Sequence, residues 1–117
     1  HMGYRSDVCL VVGKEVLPKF MTVMTKHPAV AALCMQEYDK KIEDYDDDGA
    51  MLFYWSGVKW YSTYSDIEAI GEFMDWCDED DARAFDYRFV RIGEEPDDVV
   101  VRGDGFWEVV ITRSIDF

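Results

Sequence analysis

An acidic segment in the first half of the chain has the residue spacing of a calcium-binding loop. Asp44, Asp46 and Asp48 alternate with other residues and are followed by Gly49, which matches the start of the EF-hand signature. Such a loop needs a bidentate carboxylate at its twelfth position, and counting from Asp44 that position holds Trp55. The flanking residues favour strands rather than helices. We therefore predict an acidic hairpin turn here and no metal site.

Two carboxylates in strand-like segments, Asp7 and Asp86, are the best candidates for acid–base chemistry. General acid–base catalysis needs a carboxyl group whose pKa is shifted by an apolar site. Arginines are close to both in sequence, at Arg5, Arg88 and Arg91. We expect Asp7 and Asp86 to form structural ion pairs with these arginines rather than to act in catalysis.

Other catalytic patterns are missing from the sequence. His27 is the only histidine besides His1, and its position before Pro28 favours a helix-capping role. The sequence has no nucleophile elbow, no glycine-rich phosphate loop and no His/Cys metal pattern. We therefore interpret the chain as a non-enzymatic protein without a cofactor.

The three cysteines, Cys9, Cys34 and Cys77, have apolar neighbours and form no Cys-x-x-Cys pair. This pattern predicts buried, reduced thiols and so a reducing compartment. The sequence contains no asparagine and hence no N-glycosylation acceptor, which also favours an intracellular protein.

The charge balance is the most unusual feature of the chain. Its 117 residues include 25 acids and 12 bases, which gives a formal net charge of −13 and a pI near 4.3. Nucleic-acid phosphates and anionic lipids are bound by basic faces, so the composition argues against both as direct partners. The sequence instead favours a protein partner with a basic surface, although solubility alone would also explain the acids.

The acids are concentrated in short segments, and two of these are our candidate binding surface. At Asp78–Asp81 the charges would oppose the helix dipole, so the fold does not explain them, and we expect their neutralisation to leave stability unchanged or slightly higher. The predicted partner-binding residues are Asp78, Glu79, Asp80, Asp81, Glu94, Glu95, Asp97 and Asp98, with Tyr61 and Tyr64 as neighbouring aromatic anchors.

Hydrophobic periodicity predicts the elements in the first half of the chain. Val8–Val12 is a β-branched and apolar run that is typical of a covered strand. A helix is expected to begin between Glu15 and Leu17, and a second short one to span Ala29–Met35. Lys41–Tyr45 and Ala50–Tyr61 are expected to form a hairpin around the turn at residues 46–49, with a bulge at residues 56–57.

The second half begins with the clearest helical pattern, Ser65–Glu79, which carries a capping-box spacing at Ser65 and Glu68. Alternation predicts a strand over Ala84–Ile92. A final hairpin is expected from Val99–Arg102 and Phe106–Ile115.

This order predicts an α+β fold with a single, mostly antiparallel sheet and two main helices packed on one face. We expect a ferredoxin-like βαββαβ core with an extra C-terminal strand. Residues 3–117 are predicted to form one domain. His1 and Met2 are interpreted as a cloning scar and the start methionine.

Three sequence blocks carry a resemblance to a known group. These are GYRSDV at Gly3–Val8, VKWY at Val58–Tyr61 and RIGEE at Arg91–Glu95. Together they resemble small, uncharacterised proteins encoded by tailed bacteriophages, in which the blocks occur in this order. The resemblance spans most of the chain and brings no catalytic residue. It implies a phage accessory protein that acts in the host cytoplasm.

Within that context we predict an inhibitor that occupies a basic surface of a host or bacterial defence protein. Duplex DNA carries about one charge per 1.7 Å, so 13 net charges correspond to roughly 20 Å of duplex, and the acidic surface could mimic nucleic acid. The alternatives are a small-molecule-binding or sequestering module that uses the aromatic sheet face, and a minor assembly factor. The sequence is also compatible with a homodimer.

Overall fold

The apolar run near the start of the chain forms the central strand of a five-stranded antiparallel sheet. The structure, a computed structural model, describes residues 3–109. Its strands follow the order β2-β3-β1-β4-β5 across the sheet. In chain order the elements are β1 (Ser6–Val12), α1 (Leu17–Lys26), α2 (Pro28–Met35), β2 (Lys40–Tyr45), β3 (Ala50–Val58), α3 (Ser65–Asp78), α4 (Asp81–Ala84), β4 (Tyr87–Ile92) and β5 (Val99–Arg102).

Alternate residues of β1 belong to two apolar clusters. Val8, Leu10 and Val12 are fully buried and join the main cluster, to which α1, α2, α3, β3 and β4 also contribute. Cys9 and Val11 belong to a smaller cluster. The other described members of that cluster are Ala50, Leu52, Ile42, Tyr45, Tyr54, Trp107 and Val109, and none comes from a helix.

Aromatic side chains form much of the main cluster. Phe20 of α1 contacts Phe53 of β3 and Phe73 of α3, with ring centroids 5.7 and 4.9 Å apart. The indole N–H of Trp55 donates to the buried Leu33 carbonyl at 3.0 Å, which ties β3 to α2. Ring packing and this polar contact, which the hydrophobic pattern does not reveal, therefore help to fix the helices against the sheet.

Several predicted element boundaries are confirmed. α1 begins at Leu17 and α2 ends at Met35. β2 and β3 pair as a hairpin. Opposite β1, the register shifts between Trp55 and Val58, so the expected bulge at residues 56–57 is present. Gly57 has a φ of 64°, which is why the bulge contains a glycine.

Two local predictions are wrong. Tyr64, not Ser65, is the N-cap of α3, and in its first turn Asp66 accepts the backbone N–H of Ile67, so the capping box of Ser65 and Glu68 does not form. Ala84 ends the short helix α4 because Asp80 caps a new helical turn, so β4 begins later than expected, at Tyr87. The acidic turn, in contrast, lies at residues 46–49 as predicted, and Asp46 and Asp47 within it both have positive φ.

The end of the predicted final hairpin lies partly outside the described residues. β5 covers Val99–Arg102 as expected, but residues 106–109 are not in a strand. Within the described part of the chain, no helix has both the length and the apolar character required to cross a lipid bilayer.

Candidate functional site

The eight acids predicted to bind a partner lie at the two ends of the hairpin formed by β4 and β5. Asp78 contacts Tyr87 and Arg102, which are the first residue of β4 and the last of β5. Residues 94–98 are in the loop that joins the two strands. A six-residue strand spans about 17 Å, so the acids form two separate clusters at roughly this spacing. We call residues 78–81 the helix-end cluster and residues 94–98 the loop cluster.

Asp78 of the helix-end cluster has structural partners. Its carboxylate accepts a hydrogen bond from the Tyr87 hydroxyl at 2.6 Å and forms an ion pair with Arg102 at 2.7 Å. Burial and the bond to Asp78 together raise the pKa of Tyr87. Our expectation that neutralising this cluster leaves stability unchanged therefore does not hold for Asp78, because the change would remove one partner from both groups.

The remaining helix-end acids are placed by α4, which the sequence did not indicate. The Asp80 carboxylate accepts the backbone N–H of Arg83 at 3.2 Å, and Asp81 lies in the first turn of α4. Both acids therefore lie at the favourable, positive end of α4. Arg83 donates from Nε and Nη2 to the Trp76 carbonyl, which satisfies a carbonyl in the last turn of α3. Glu79 is 3.9 Å from Arg83 and is mostly exposed.

The loop cluster is organised around Asp98. Its carboxylate accepts hydrogen bonds from both terminal nitrogens of Arg91 and one from the Tyr4 hydroxyl at 2.6 Å. The Tyr4 hydroxyl also accepts the backbone N–H of Glu95, and Glu94 accepts the N–H of Arg5 at 2.6 Å. The N-terminal segment thus fixes the shape of this loop. The bond to Asp98 raises the pKa of Tyr4.

The two predicted aromatic anchors lie beside the loop cluster. The Tyr61 hydroxyl accepts the backbone N–H of Tyr4 at 2.7 Å, which connects Tyr61 to the residue that holds Asp98. The ring of Tyr64 is 5.0 Å from that of Tyr61 and is 42% exposed. The structure therefore brings Tyr61 and Tyr64 together with residues 94–98 and not with residues 78–81.

A second exposed aromatic pair lies beside the helix-end cluster, and sequence reasoning missed it. Phe85 directly follows α4, and its ring stacks on that of Phe106 with centroids 6.0 Å apart. Phe85 is 50% and Phe106 88% exposed. Alternation had placed Phe85 in a strand over Ala84–Ile92, but α4 ends just before Phe85 and the strand begins after it.

A groove runs along α3 and is lined by Asp98 of the loop cluster and by Arg102, which pairs with Asp78 of the helix-end cluster. Its volume is about 730 Å³, which is in the usual range for ligand sites. The lining comes from α3, from β4 and β5, and from the segments around Tyr4 and Trp60: Tyr4, Trp60, Tyr61, Ser62, Thr63, Ile67, Glu68, Gly71, Glu72, Met74, Asp75, Phe89, Arg91, Asp98, Val100 and Arg102. Both arginines are held by carboxylates, Arg91 by Asp98 and Arg102 by Asp75 and Asp78.

The candidate acid–base carboxylates do not pair with arginines as we predicted. Asp7 accepts the backbone N–H of Gly57 at 2.9 Å. Asp86 accepts the N–H groups of Glu15 and Val16 at 2.9 and 3.0 Å, so it organises the segment before α1. Burial raises the pKa of Asp86, although these two hydrogen bonds act in the opposite direction. Backbone amides thus replace the expected arginines as partners.

The three cysteines are buried and unbridged, as predicted. Burial raises the pKa of Cys9, Cys34 and Cys77 to about 12 in each case, so the thiols remain protonated at neutral pH. Among residues 3–109 no group of His, Cys, Asp or Glu side chains has an arrangement that could hold a metal ion.

Comparison with known proteins adds no relative. No protein-family model matches the chain, and no curated protein or solved structure matches it. The phage resemblance of the three sequence blocks therefore stays a prediction.

Proposed function

We propose that this protein acts without catalysis, by binding a host or bacterial defence protein that presents a basic surface. In this proposal it is a phage accessory protein that works in the host cytoplasm as an inhibitor. The acidic clusters meet lysines and arginines of the partner, which speeds association and selects the partner. Aromatic side chains contribute more of the affinity than the charges do.

One observation carries this proposal: each acidic cluster has beside it an aromatic pair with at least one exposed ring. Phe85 and Phe106 lie beside the helix-end cluster, and Tyr61 and Tyr64 lie beside the loop cluster. Exposed aromatic rings next to acids are typical of an interface in which apolar anchors are surrounded by charge. Solubility alone would account for the acids but not for the rings.

The spacing of the clusters supports mimicry of a nucleic acid as the form of this binding. The clusters are about 17 Å apart along β4, and duplex DNA of that length carries roughly ten charges. Three α3 acids, Glu68, Glu72 and Asp75, lie along the groove between the clusters. A partner surface built to follow a phosphate backbone would meet negative charge along this whole path.

We also propose that the architecture is of the ferredoxin-like type, with two main helices on one face. Strand order and element order support this, since β4-β1-β3-β2 with helices after β1 and β3 is the arrangement of a βαββαβ unit. β5 then extends the sheet beyond β4. In this arrangement α3 leaves the outer part of the β4–β5 hairpin uncovered, and the groove lies there.

The alternative function, small-molecule binding or sequestration, is favoured by one specific observation. The groove combines apolar and aromatic lining from Trp60, Phe89 and Val100 with the polar groups of Arg91 and Arg102. Apolar walls with a few polar groups are the usual composition of a ligand site. A compound bound here would raise the melting temperature of the protein even when no macromolecule is present.

Affinity capture followed by equilibrium binding tests the main proposal. Immobilised protein is incubated with bacterial lysate at about 50 and 300 mM salt, where exposed charges are screened to different extents. A captured protein is purified, and its Kd is measured against the wild type and two charge variants. The first carries Glu79→Gln, Asp81→Asn and Asp97→Asn. The second carries Glu43→Gln, Asp46→Asn and Asp47→Asn in the β2–β3 hairpin.

Both variants lose three charges, so only the position of the charges differs. We expect the first variant to bind about 10-fold more weakly and the second to stay within about twofold, because only direct neighbours of the partner's bases matter. Excess duplex DNA should displace the partner. A partner that binds both variants and the wild type equally, at either salt and with DNA in excess, contradicts the proposal.

A further inference from the structure

A glycine in the middle of α3 has no structural explanation within the fold. Gly71 lies between helical residues and lacks a positive φ, and a Cβ built there meets no atom within 4 Å. Glycine in a helix interior is less stable than alanine. The chain therefore accepts a weaker helix at a position where its own packing does not require glycine.

Gly71 lies on the face of α3 that lines the groove. It lines the groove together with Glu68, Glu72 and Asp75, which follow the i, i+4, i+7 spacing of one helix face. Because Gly71 has no Cβ, the helix backbone itself forms the groove surface between these acids. A side chain at this position would extend into the groove rather than into the protein core.

The charges of the groove favour a cationic occupant. Four carboxylates line it, on Glu68, Glu72, Asp75 and Asp98, against the two guanidinium groups. Both arginines are already ion-paired, whereas within residues 3–109 neither Glu68 nor Glu72 forms an ion pair. Nearby aromatic rings, including Trp60 and Tyr61, can accept a cation on their faces.

We propose that an extended, lysine-bearing segment of the partner lies in this groove and packs against α3 at Gly71. This inference rests on the proposed function, because it takes the basic partner as given and assigns where one segment of it binds. Ammonium groups reach Glu68 and Glu72, and the lysine stems cover the apolar lining. A β-carbon at position 71 would prevent the backbone of the partner segment from approaching α3 this closely.

A labelled octalysine peptide tests the proposal by fluorescence anisotropy at low and high salt. The variants are Gly71→Ala and Gly71→Leu, and a matched charge pair, Glu72→Gln in the groove and Asp46→Asn in the β2–β3 turn. Gly71→Ala should raise the melting temperature by about 3 to 6 °C, because alanine is the better helix former. It should also bind octalysine at least about fivefold more weakly, and Gly71→Leu more weakly still.

The charge pair separates the groove from the general effect of acidity. Glu72→Gln should weaken binding about two- to fivefold, whereas Asp46→Asn should change it less than about 1.5-fold. Salt-dependent octalysine binding that is equal in all four variants and the wild type would overturn the groove assignment but leave the proposed function standing. Failure of the wild type to bind octalysine even at low salt would overturn both.

Discussion

Asp98 and Arg91 form a bidentate ion pair across the β4–β5 loop, with nitrogen–oxygen distances of 2.8 and 3.0 Å. Both side chains are mostly buried, at 29% and 18% exposed, and Asp98 also accepts the Tyr4 hydroxyl. A bidentate arginine–carboxylate ion pair is stronger than a single hydrogen bond at the surface. Asp98 and Glu94, which accepts the backbone N–H of Arg5, therefore help to hold the loop in shape as well as carrying negative charge.

Neighbouring aspartates in that loop should differ sharply in their effect on stability. Asp98→Asn should lower the free energy of unfolding by about 1 to 3 kcal/mol, because Arg91 and Tyr4 lose a charged acceptor in a half-buried site. Asp97→Asn, which removes the same charge from an exposed position, should stay within about 0.5 kcal/mol. Urea denaturation of the two variants checks this. Equal losses would show that the loop responds only to net charge.

The cap of α4 gives a second contrast at a single residue. Asp80→Ala should cost about 1 kcal/mol, since the backbone N–H of Arg83 loses its acceptor. Asp80→Asn keeps a capping oxygen and should cost less than about half of that. Thermal melts of the two variants measure both costs. If asparagine were as costly as alanine, charge rather than capping would explain the role of Asp80.

Residues that favour positive φ should stabilise the acidic turn. Asp46 and Asp47 have φ values of 57° and 54°, and the N–H of Asp48 donates to the Tyr45 carbonyl, as in a type I′ turn. Asp46→Asn combined with Asp47→Gly should raise the free energy of unfolding by about 0.5 to 1 kcal/mol. Gly49→Ala is the opposite test, because Gly49 has a φ of 74° and alanine there should be destabilising.

Alkaline pH should destabilise the protein through its buried thiols. Burial raises the pKa of Cys9, Cys34 and Cys77 from 9.0 to about 12, so above pH 9 the unfolded chain loses protons that the folded chain keeps. The contribution is fully present below pH 9 and is lost towards pH 12, with a slope of up to about 1.4 kcal/mol per pH unit for each thiol. Denaturation at pH 8, 9.5 and 10.5 measures this slope.

A variant with all three cysteines replaced by alanine provides the control. It should show a smaller pH slope, because the three thiols with raised pKa no longer contribute. Native protein should also react slowly with a thiol reagent at pH 8, because the thiols are both buried and protonated. Rapid labelling of all three cysteines without unfolding would contradict the prediction.

Local patterns predicted those elements whose own sequence settles their structure. The apolar run of β1, the Pro18-containing first turn of α1 and the bulge before Val58 all follow from propensity and spacing. Tertiary contacts overrode the pattern elsewhere. Ser65 fits a capping box, yet it lies inside α3 after the N-cap Tyr64. Phe85 fits a strand, yet the Asp80 cap produces a helical turn first.

The candidate site was only partly predictable, for a related reason. Runs of acids are visible in the sequence, but their partners Tyr4, Tyr87 and Arg102 come from distant segments. The acids that are fixed by the fold can therefore be separated from the accessible ones only in three dimensions. The Phe85–Phe106 stack joins two segments about 20 residues apart, and no local periodicity indicates it.

The position of β1 in the centre of the sheet has a consequence for protein synthesis. Val12 pairs with Met51 on one side and Tyr87 on the other, so about 75 residues must be made after β1 before its second neighbour exists. At elongation rates of up to about 20 residues per second, this delay is at least about 4 s. During that time one edge of the apolar run Val8–Val12 has no strand partner on the nascent chain, so its backbone is open to non-native pairing.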